Sequence, residues 1–421
     1  MLAPGGWVTV GIDNGGTANN GTVLDDRGRF LVDTMAELPS LVREGPDKAI
    51  TALVDSFDKV LAMTSVPRER VAAVGLDTPG PASATGVLMT GGATNFGHPD
   101  WSRFDIRGAL EARLGIPVVY NNDGNAAALY AHHVRHGANA AARGSVSVIV
   151  GTGCGGGVVH AGRVITGAAG MAGELGHMMI PLEGLLEEGQ TLPSCNCGQF
   201  GDAESVASLT GITRNLLPYW LTRFPGHELA EVEIGRAAKL VRGYAERGDA
   251  MALEIFRQQA MAIGRVFSIA AKFTDPDTYF VGGGVIEAAP HFRDWFVDTV
   301  KENTVFYVEQ AEIAEITLVP DLDMAGARGS AIAAKEWAET RLLVVAGARV
   351  LEDQPADLEV ELLRVGQVVY LAKRLILARR LDNERAVTQQ PSHRRALEAH
   401  IGDFCERHHV DRFPDDTCGE Q

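Results

Sequence analysis

Val8-Thr9-Val10-Gly11-Ile12-Asp13-Asn14-Gly15-Gly16-Thr17 runs from an apolar alternation into a paired-glycine turn. Val8, Val10 and Ile12 read as a strand with one buried face, and a returning strand is expected at about 21–24. Gly15 and Gly16 let backbone N–H groups approach an anion closely. Asp13 places a carboxylate at the strand end, where a hydrated Mg2+ fits, and Thr17 adds a hydroxyl donor. No Gly-Lys-Ser/Thr follows and no helix opens behind the turn, so this is not a Walker A loop. Taken alone, the stretch reads equally well as a plain hairpin.

A second copy changes that balance. Ser145-Val146-Ser147-Val148-Ile149-Val150 enters Gly151-Thr152-Gly153-Cys154-Gly155-Gly156-Gly157, and Val158-Val159 returns. His160-Ala161-Gly162-Arg163 reads as the next hairpin turn. Strand, Gly/Thr turn and strand thus occur twice, as a duplicated phosphate-binding core would present them from two lobes.

Between the copies, Ile116-Pro117-Val118-Val119-Tyr120 reads as a strand. Asn121-Asn122-Asp123-Gly124-Asn125 follows, and then the alanine-rich helix former Ala126-Ala127-Ala128-Leu129-Tyr130-Ala131. Asp123 at this junction is either a helix N-cap or a general base at the mouth of a cleft, with Asn122 beside it. Downstream, Glu174 and His177 stand one turn apart in Gly173-Glu174-Leu175-Gly176-His177. Cys195-Asn196-Cys197-Gly198 follows, and its two thiols with an upstream histidine suggest a structural metal site. They are too close in sequence for an ordinary disulfide, and the alternative is a pair of free thiols.

The ordered set resembles the ROK family of sugar kinases and sugar-responsive repressors, which share the hexokinase and actin-like ATPase core. The elements that carry the resemblance are Gly11 to Thr17, Asn122-Asp123, Gly151 to Gly157, Gly173 to His177, Cys195 to Gly198, and Glu204. Phe280-Val281-Gly282-Gly283-Gly284 and Ala325-Gly326-Ala327-Arg328-Gly329-Ser330 complete the set, which spans roughly residues 7 to 338. It implies a two-lobed α/β fold with a duplicated, ribonuclease H-like core. The small lobe would be 1–123, the large lobe 124–323, and a closing helix at 324–338 would return to the small lobe. Residues 339–421 would form a helical extension, with an amphipathic helix between Leu362 and Leu381.

The resemblance also implies the chemistry. Asp123 would be the base of an ATP- and Mg2+-dependent kinase. Gly80, Asn95, Asn122, Glu174, His177 and Glu204 would bind sugar hydroxyls. Asp13, with Mg2+, and Gly15, Gly16 and Thr17 would face the phosphates from one side. Gly151, Thr152 and Gly153 would face them from the other, with Gly283 and Gly284 near the nucleoside. His177, Cys195 and Cys197 match a family zinc site whose expected third cysteine is Asp202 here. Ala18-Asn19 stand where family kinases often carry a longer polar or basic side chain. A homodimer or homotetramer is expected. The alternative is a sugar-sensing regulator or a non-catalytic sugar-binding protein. Family repressors carry a helix-turn-helix ahead of the core, and few residues precede the first strand here.

Composition sets the context. The 421 residues include 48 glycines and five cysteines and carry a net charge of −16, which argues against broad nucleic-acid affinity. An odd cysteine count without a regular framework points to a reducing compartment. With no signal peptide and no membrane-length apolar run, a cytoplasmic location is expected. Apolar periodicity further predicts strands near 29–33 and at Val71–Leu76, and helices near 46–63, 106–114, 203–216, 233–246, 249–273 and 290–302.

Overall fold

The computed structural model describes residues 6–80, 83, 85–88 and 96–352. The chain divides into two compact units, residues 1–338 and 339–421. Ten strands lie in the first unit: β1 Val8–Asn14, β2 Ala18–Asp25, β3 Ala36–Pro39, β4 Val71–Thr78, β5 Val118–Asn122, β6 Gly144–Val150, β7 Cys154–His160, β8 Arg163–Val164, β9 Thr278–Gly283 and β10 Glu315–Leu318. The helices are α1 Pro46–Thr64, α2 Ile106–Leu114, α3 Asp123–His136, α4 Glu204–Ala207, α5 Leu209–Gly211, α6 Leu217–Arg223, α7 Ile234–Glu246, α8 Ala250–Phe273, α9 Pro290–Glu302, α10 Val308–Ala311 and α11 Ala325–Glu352.

The strands form two five-stranded sheets of identical topology, ordered β3-β2-β1-β4-β5 and β8-β7-β6-β9-β10. In each, the first three strands are antiparallel and the last two run parallel to the first. Each parallel connection needs a helical crossover. Helix α1 supplies one such crossover, burying Ile50, Leu53, Phe57 and Val60 in the core that holds Val10 and Ile12. Helix α8 does the same for the second sheet, where Phe267 packs on Tyr279 with ring centroids 5.2 Å apart.

Glycines set how the layers meet. A Cβ on Gly11 of β1 would lie 1.9 Å from the Ala327 carbonyl oxygen of α11, and one on Gly75 of β4 would lie 1.9 Å from that of Ser330. A Cβ on Gly329 of α11 would lie 1.8 Å from the Ala126 carbonyl oxygen of α3, and one on Gly124 of α3 would meet Gly156 of β7 at 2.6 Å. Backbone therefore touches backbone from the first sheet through α11 and α3 to the second.

Three expectations from the sequence are corrected. The third strand lies at 36–39 and not near 29–33, because the Asp25 carboxylate accepts the Arg27 and Arg29 amides and folds that stretch into a turn. Residue 30 makes only an isolated bridge to Leu24. The single helix expected over 203–216 is interrupted at Ser208, whose extended backbone and Oγ cap the Gly211 amide before a π-helical turn at Ile212–Leu216. The closing helix runs past 338 to Glu352. Asn95, Cys405, Cys418 and the helix expected between Leu362 and Leu381 lie outside the described residues.

Gly329→Ala is expected to lower the melting temperature steeply or prevent folding, since backbone atoms cannot yield as a side chain would; overpacking costs at least about 1–3 kcal/mol. Gly226→Ala, which meets nothing within 4 Å, is the matched control. Calorimetry showing equal melting for the two variants would refute the backbone contact.

Candidate functional site

Strand β1 carries Asp13 to the sheet end, and the β1–β2 hairpin closes through Gly15, whose amide donates to the Ala18 carbonyl at 2.9 Å. Buried Asn19 accepts a 2.6 Å bond from Asn14 Nδ2. The residue at 19 therefore clasps the hairpin across its base, which accounts for a short amide where a longer side chain was expected. Thr17 is exposed at the tip. Asp13 accepts from Asn20 Nδ2 at 3.3 Å, and burial raises its carboxyl above the usual range.

Asp13 has a neighbour that no sequence motif marks. Asp77 stands opposite it in the parallel β1–β4 register. Asp77 is fully buried and accepts from Ser330 Oγ at 2.7 Å. Burial first, and then the negative charge of Asp13, push its carboxyl well above the ordinary range. The expected strand ended at Leu76, one residue short, and only strand register reveals the pair.

Asp123 opens α3 and is solvent-exposed at the strand end. The N-cap is Asn122, whose Oδ1 accepts the Asn125 amide at 2.7 Å. Asp123 accepts the Gly124 amide at 2.8 Å. Surrounding protein raises its carboxyl to about 6; the Gly124 bond opposes this, while the charges of Asp13 and Glu174 add to it. Asn122 Nδ2 donates to Glu174 Oε1 at 3.1 Å. A Cβ on Gly80 would sit 3.8 Å from that Nδ2 and 3.9 Å from Glu174 Oε1, so Gly80 borders the same spot. The structure thus brings Gly80, Asn122, Asp123 and Glu174 together.

The second turn is pinned from below. Leu209 and Thr210 amides donate to the Gly151 and Thr152 carbonyls at 3.0 and 3.2 Å. Glu204 Oε2 accepts the Cys154 amide at 2.8 Å, and a Cβ on Gly153 would approach the same oxygen to 2.8 Å. Gly283, at φ +102°, pairs with Val150, and its Cβ would strike the Val150 carbonyl oxygen at 1.8 Å. Only glycine fits where β9 meets the start of this turn. Gly284 lies beside Arg242, whose guanidinium donates to its carbonyl at 2.6 Å.

His177 Nδ1, Cys195 Sγ, Cys197 Sγ and an Asp202 oxygen all lie within 4.8 Å of one another. Individual separations are 3.1 Å for His177–Asp202, 3.7 Å for Cys195–His177 and 3.5 Å for Cys197–Asp202. Tetrahedral zinc with ordinary N, O and S bond lengths places its ligands about 3.3–3.8 Å apart, so this donor set fits such an ion. Burial opposes the charge on Asp202, but hydrogen bonds from His177, Cys195 and Ser205 hold its carboxyl down to about 2. Cys195 Sγ also reaches Glu204 Oε1 at 3.4 Å, which ties the cluster to the second turn. Cys154 is buried, and its thiol is raised to about 12 by that burial, so it is an inert packing group.

A groove of about 450 Å3 opens from Thr152 along α5 and the start of α7, lined by Thr210, Thr213, Arg214, Arg236 and Lys239 among others. Spacing in sequence gives no sign of it, because its walls come from three separate stretches, at 152, 209–214 and 233–239, that only the fold unites. No helix among the described residues is long and apolar enough to cross a membrane.

The ROK family model matches residues 9–337. A glucokinase of Halalkalibacterium halodurans is 31% identical over 71% of this chain and 89% of its own length. The crystal structure of a ROK hexokinase from Thermus thermophilus superposes with a TM-score of 0.62 at 29% identity, covering 79% of this chain and 99% of that one. A ROK glucokinase from Streptomyces griseus, in complex with glucose and AMPPNP, gives a TM-score of 0.55 at 26% identity, with 78% and 99% covered.

The raised carboxyl of Asp123 gives a signed prediction. Its folded pKa of about 6 exceeds the ordinary carboxylate value, so the group's unfavourable contribution is absent below about pH 4 and fully present above about pH 6. Asp123→Asn is expected to melt higher than wild type at pH 7.5, with the gap narrowing towards pH 4.5. A pH-independent gap, or a lower melting point at pH 7.5, would remove the perturbed carboxyl.

Proposed function

The chain belongs to the ROK family, with its actin-like ATPase fold, and from the site it carries we propose an ATP- and Mg2+-dependent kinase that phosphorylates a hydroxyl of a hexose or close analogue. The observation that carries the reading is the placement of Asp123: accessible, at the first turn of α3, beside the Asn122–Glu174 hydrogen bond. A carboxyl near 6 is largely ionised at neutral pH yet basic enough to take a proton. Hexokinase and glucokinase relatives, one of them holding glucose and a nucleotide analogue, support sugar and nucleotide as the ligands.

Asn122, Glu174 and the Gly80 border would seat the sugar so that one hydroxyl points at Asp123. Its proton passes to the Asp123 carboxylate as the oxygen bonds to the γ-phosphorus. The bond from that phosphorus to the β–γ bridging oxygen breaks, leaving ADP and the sugar phosphate. Positioning and charge neutralisation carry most of such a transfer. The amides of the 15–17 and 151–153 turns would face the phosphates, and Gly283 and Gly284 the nucleoside side. The groove cations Arg214, Arg236 and Lys239 add positive charge on the donor side of Thr152. Mg2+ would be held by Asp13, and when bound it neutralises phosphate charge. Glu204 would act on the sugar through the second turn and the His177–Cys195–Cys197–Asp202 cluster that it links.

A coupled ADP-release assay across glucose, N-acyl hexosamines, amino sugars and cyclitols tests the assignment. Release with at least one hexose is expected, dependent on Mg2+. Silence across the whole panel would favour the sugar-sensing reading. Asp123→Asn is expected to lower turnover by about 10²–10⁴-fold, and wild-type kcat/KM to decline as pH falls through about 6. Near-normal turnover by the variant would take Asp123 out of the mechanism.

His177, Cys195, Cys197 and Asp202 would hold a structural Zn2+, which cross-links the 175–177 turn to the 195–202 loop. One zinc per chain is expected by metal analysis, and its removal by chelator should lower the melting temperature. A chain that carries no zinc when refolded in excess Zn2+ would exclude the site.

A further inference from the structure

We infer that Asp77 joins Asp13 as a second carboxylate of the divalent-cation site at the ends of β1 and β4. The inference deepens the kinase reading above and rests on it. The two residues are register partners on adjacent parallel strands, so their side chains leave the same face side by side. Asp77 is wholly buried, and its Oδ2 is fixed by Ser330 Oγ from α11 at 2.7 Å. Its Oδ1, equally buried, has no hydrogen-bond donor among the described residues. A buried carboxylate oxygen without a donor is rare and costly.

The surroundings specify what is missing. Asp13 receives one long bond, 3.3 Å from Asn20. Among the described residues neither carboxylate pairs with a lysine, arginine or histidine. Two acids in contact with no balancing cation need either a shared proton or a metal ion. Hard oxygen donors from one or two carboxylates, completed by water and phosphate oxygens, are what Mg2+ and Mn2+ take. The glycine turn that supplies the phosphate side follows Asp13 by two residues. Ser330 holds one oxygen of the carboxyl and leaves the other without a donor. A shared proton would make Asp77 a neutral donor, and an asparagine would then serve in its place.

Mn2+ binding, followed by electron paramagnetic resonance on the nucleotide-free full chain after one equivalent of Zn2+ has filled the thiolate cluster, separates the two. Wild type is expected to bind one Mn2+. Asp77→Asn should loosen it at least tenfold while melting no lower than wild type in EDTA. Equal Mn2+ affinity in the variant, or no binding by wild type, overturns the inference. Should Asp77→Asn fail to fold, Ser330→Ala keeps the carboxylate but frees it to rotate; weaker Mn2+ binding supports the inference and unchanged binding overturns it. Sugar phosphorylation by wild type together with unaltered Mn2+ binding in Asp77→Asn would defeat this inference alone. Weakened Mn2+ binding in a chain that phosphorylates no sugar would defeat the kinase reading alone.

Discussion

Contact between backbones, without side chains to separate them, is the constraint that orders this molecule. Gly11 and Gly75 admit α11 against the first sheet, Gly329 admits α3 against α11, and Gly124 seats α3 on β7. Each contact leaves no room for even a methyl group. The acids of the site ride on these same pieces: Asp13 two residues beyond Gly11, Asp77 two beyond Gly75, and Asp123 immediately before Gly124. Their placement is therefore set by main-chain geometry, which tolerates far less error than a flexible side-chain contact.

Two carboxyl groups of the site differ in their surroundings. Asp123 is exposed and raised to about 6, which suits a group that must meet a substrate and exchange a proton. Asp77 is buried and held by Ser330, which suits a group that keeps one place in the fold. The same residue type serves both ends because burial and neighbouring charge, rather than identity, set its behaviour. The His177–Cys195–Cys197–Asp202 cluster lies at a remove: Cys195 touches Glu204, and Glu204 secures the Cys154 amide at the foot of the second turn.

Much of this was legible in the chain before any coordinates. Both glycine hairpins, the strand–helix junction at Asp123 and the helices expected near 46–63, 106–114, 233–246, 249–273 and 290–302, each met by a helix within one residue at either end, follow from apolar period and turn chemistry. The duplicated sheet follows from seeing the same hairpin twice. What was hidden depends on register or on distance. Nothing local sets Asp77 apart from any other acid at a strand end. The short, proline-ended run Ala36–Pro39 lacks a strand pattern, and it becomes an edge strand only because β2 offers it a partner. Ser208 breaks a continuous helical pattern by capping in its middle, and a helical period conceals such a residue.

The repeated topology makes α3 and α11 the same element of two half-molecules, each following the last strand of its own sheet. They lie against one another at Gly329 and Ala126. A joint made of bare main chain cannot deform by changing rotamers, and separating it would expose peptide groups that were packed together. Any swing of one sheet relative to the other must therefore pivot about that crossing, as a door turns on its pin.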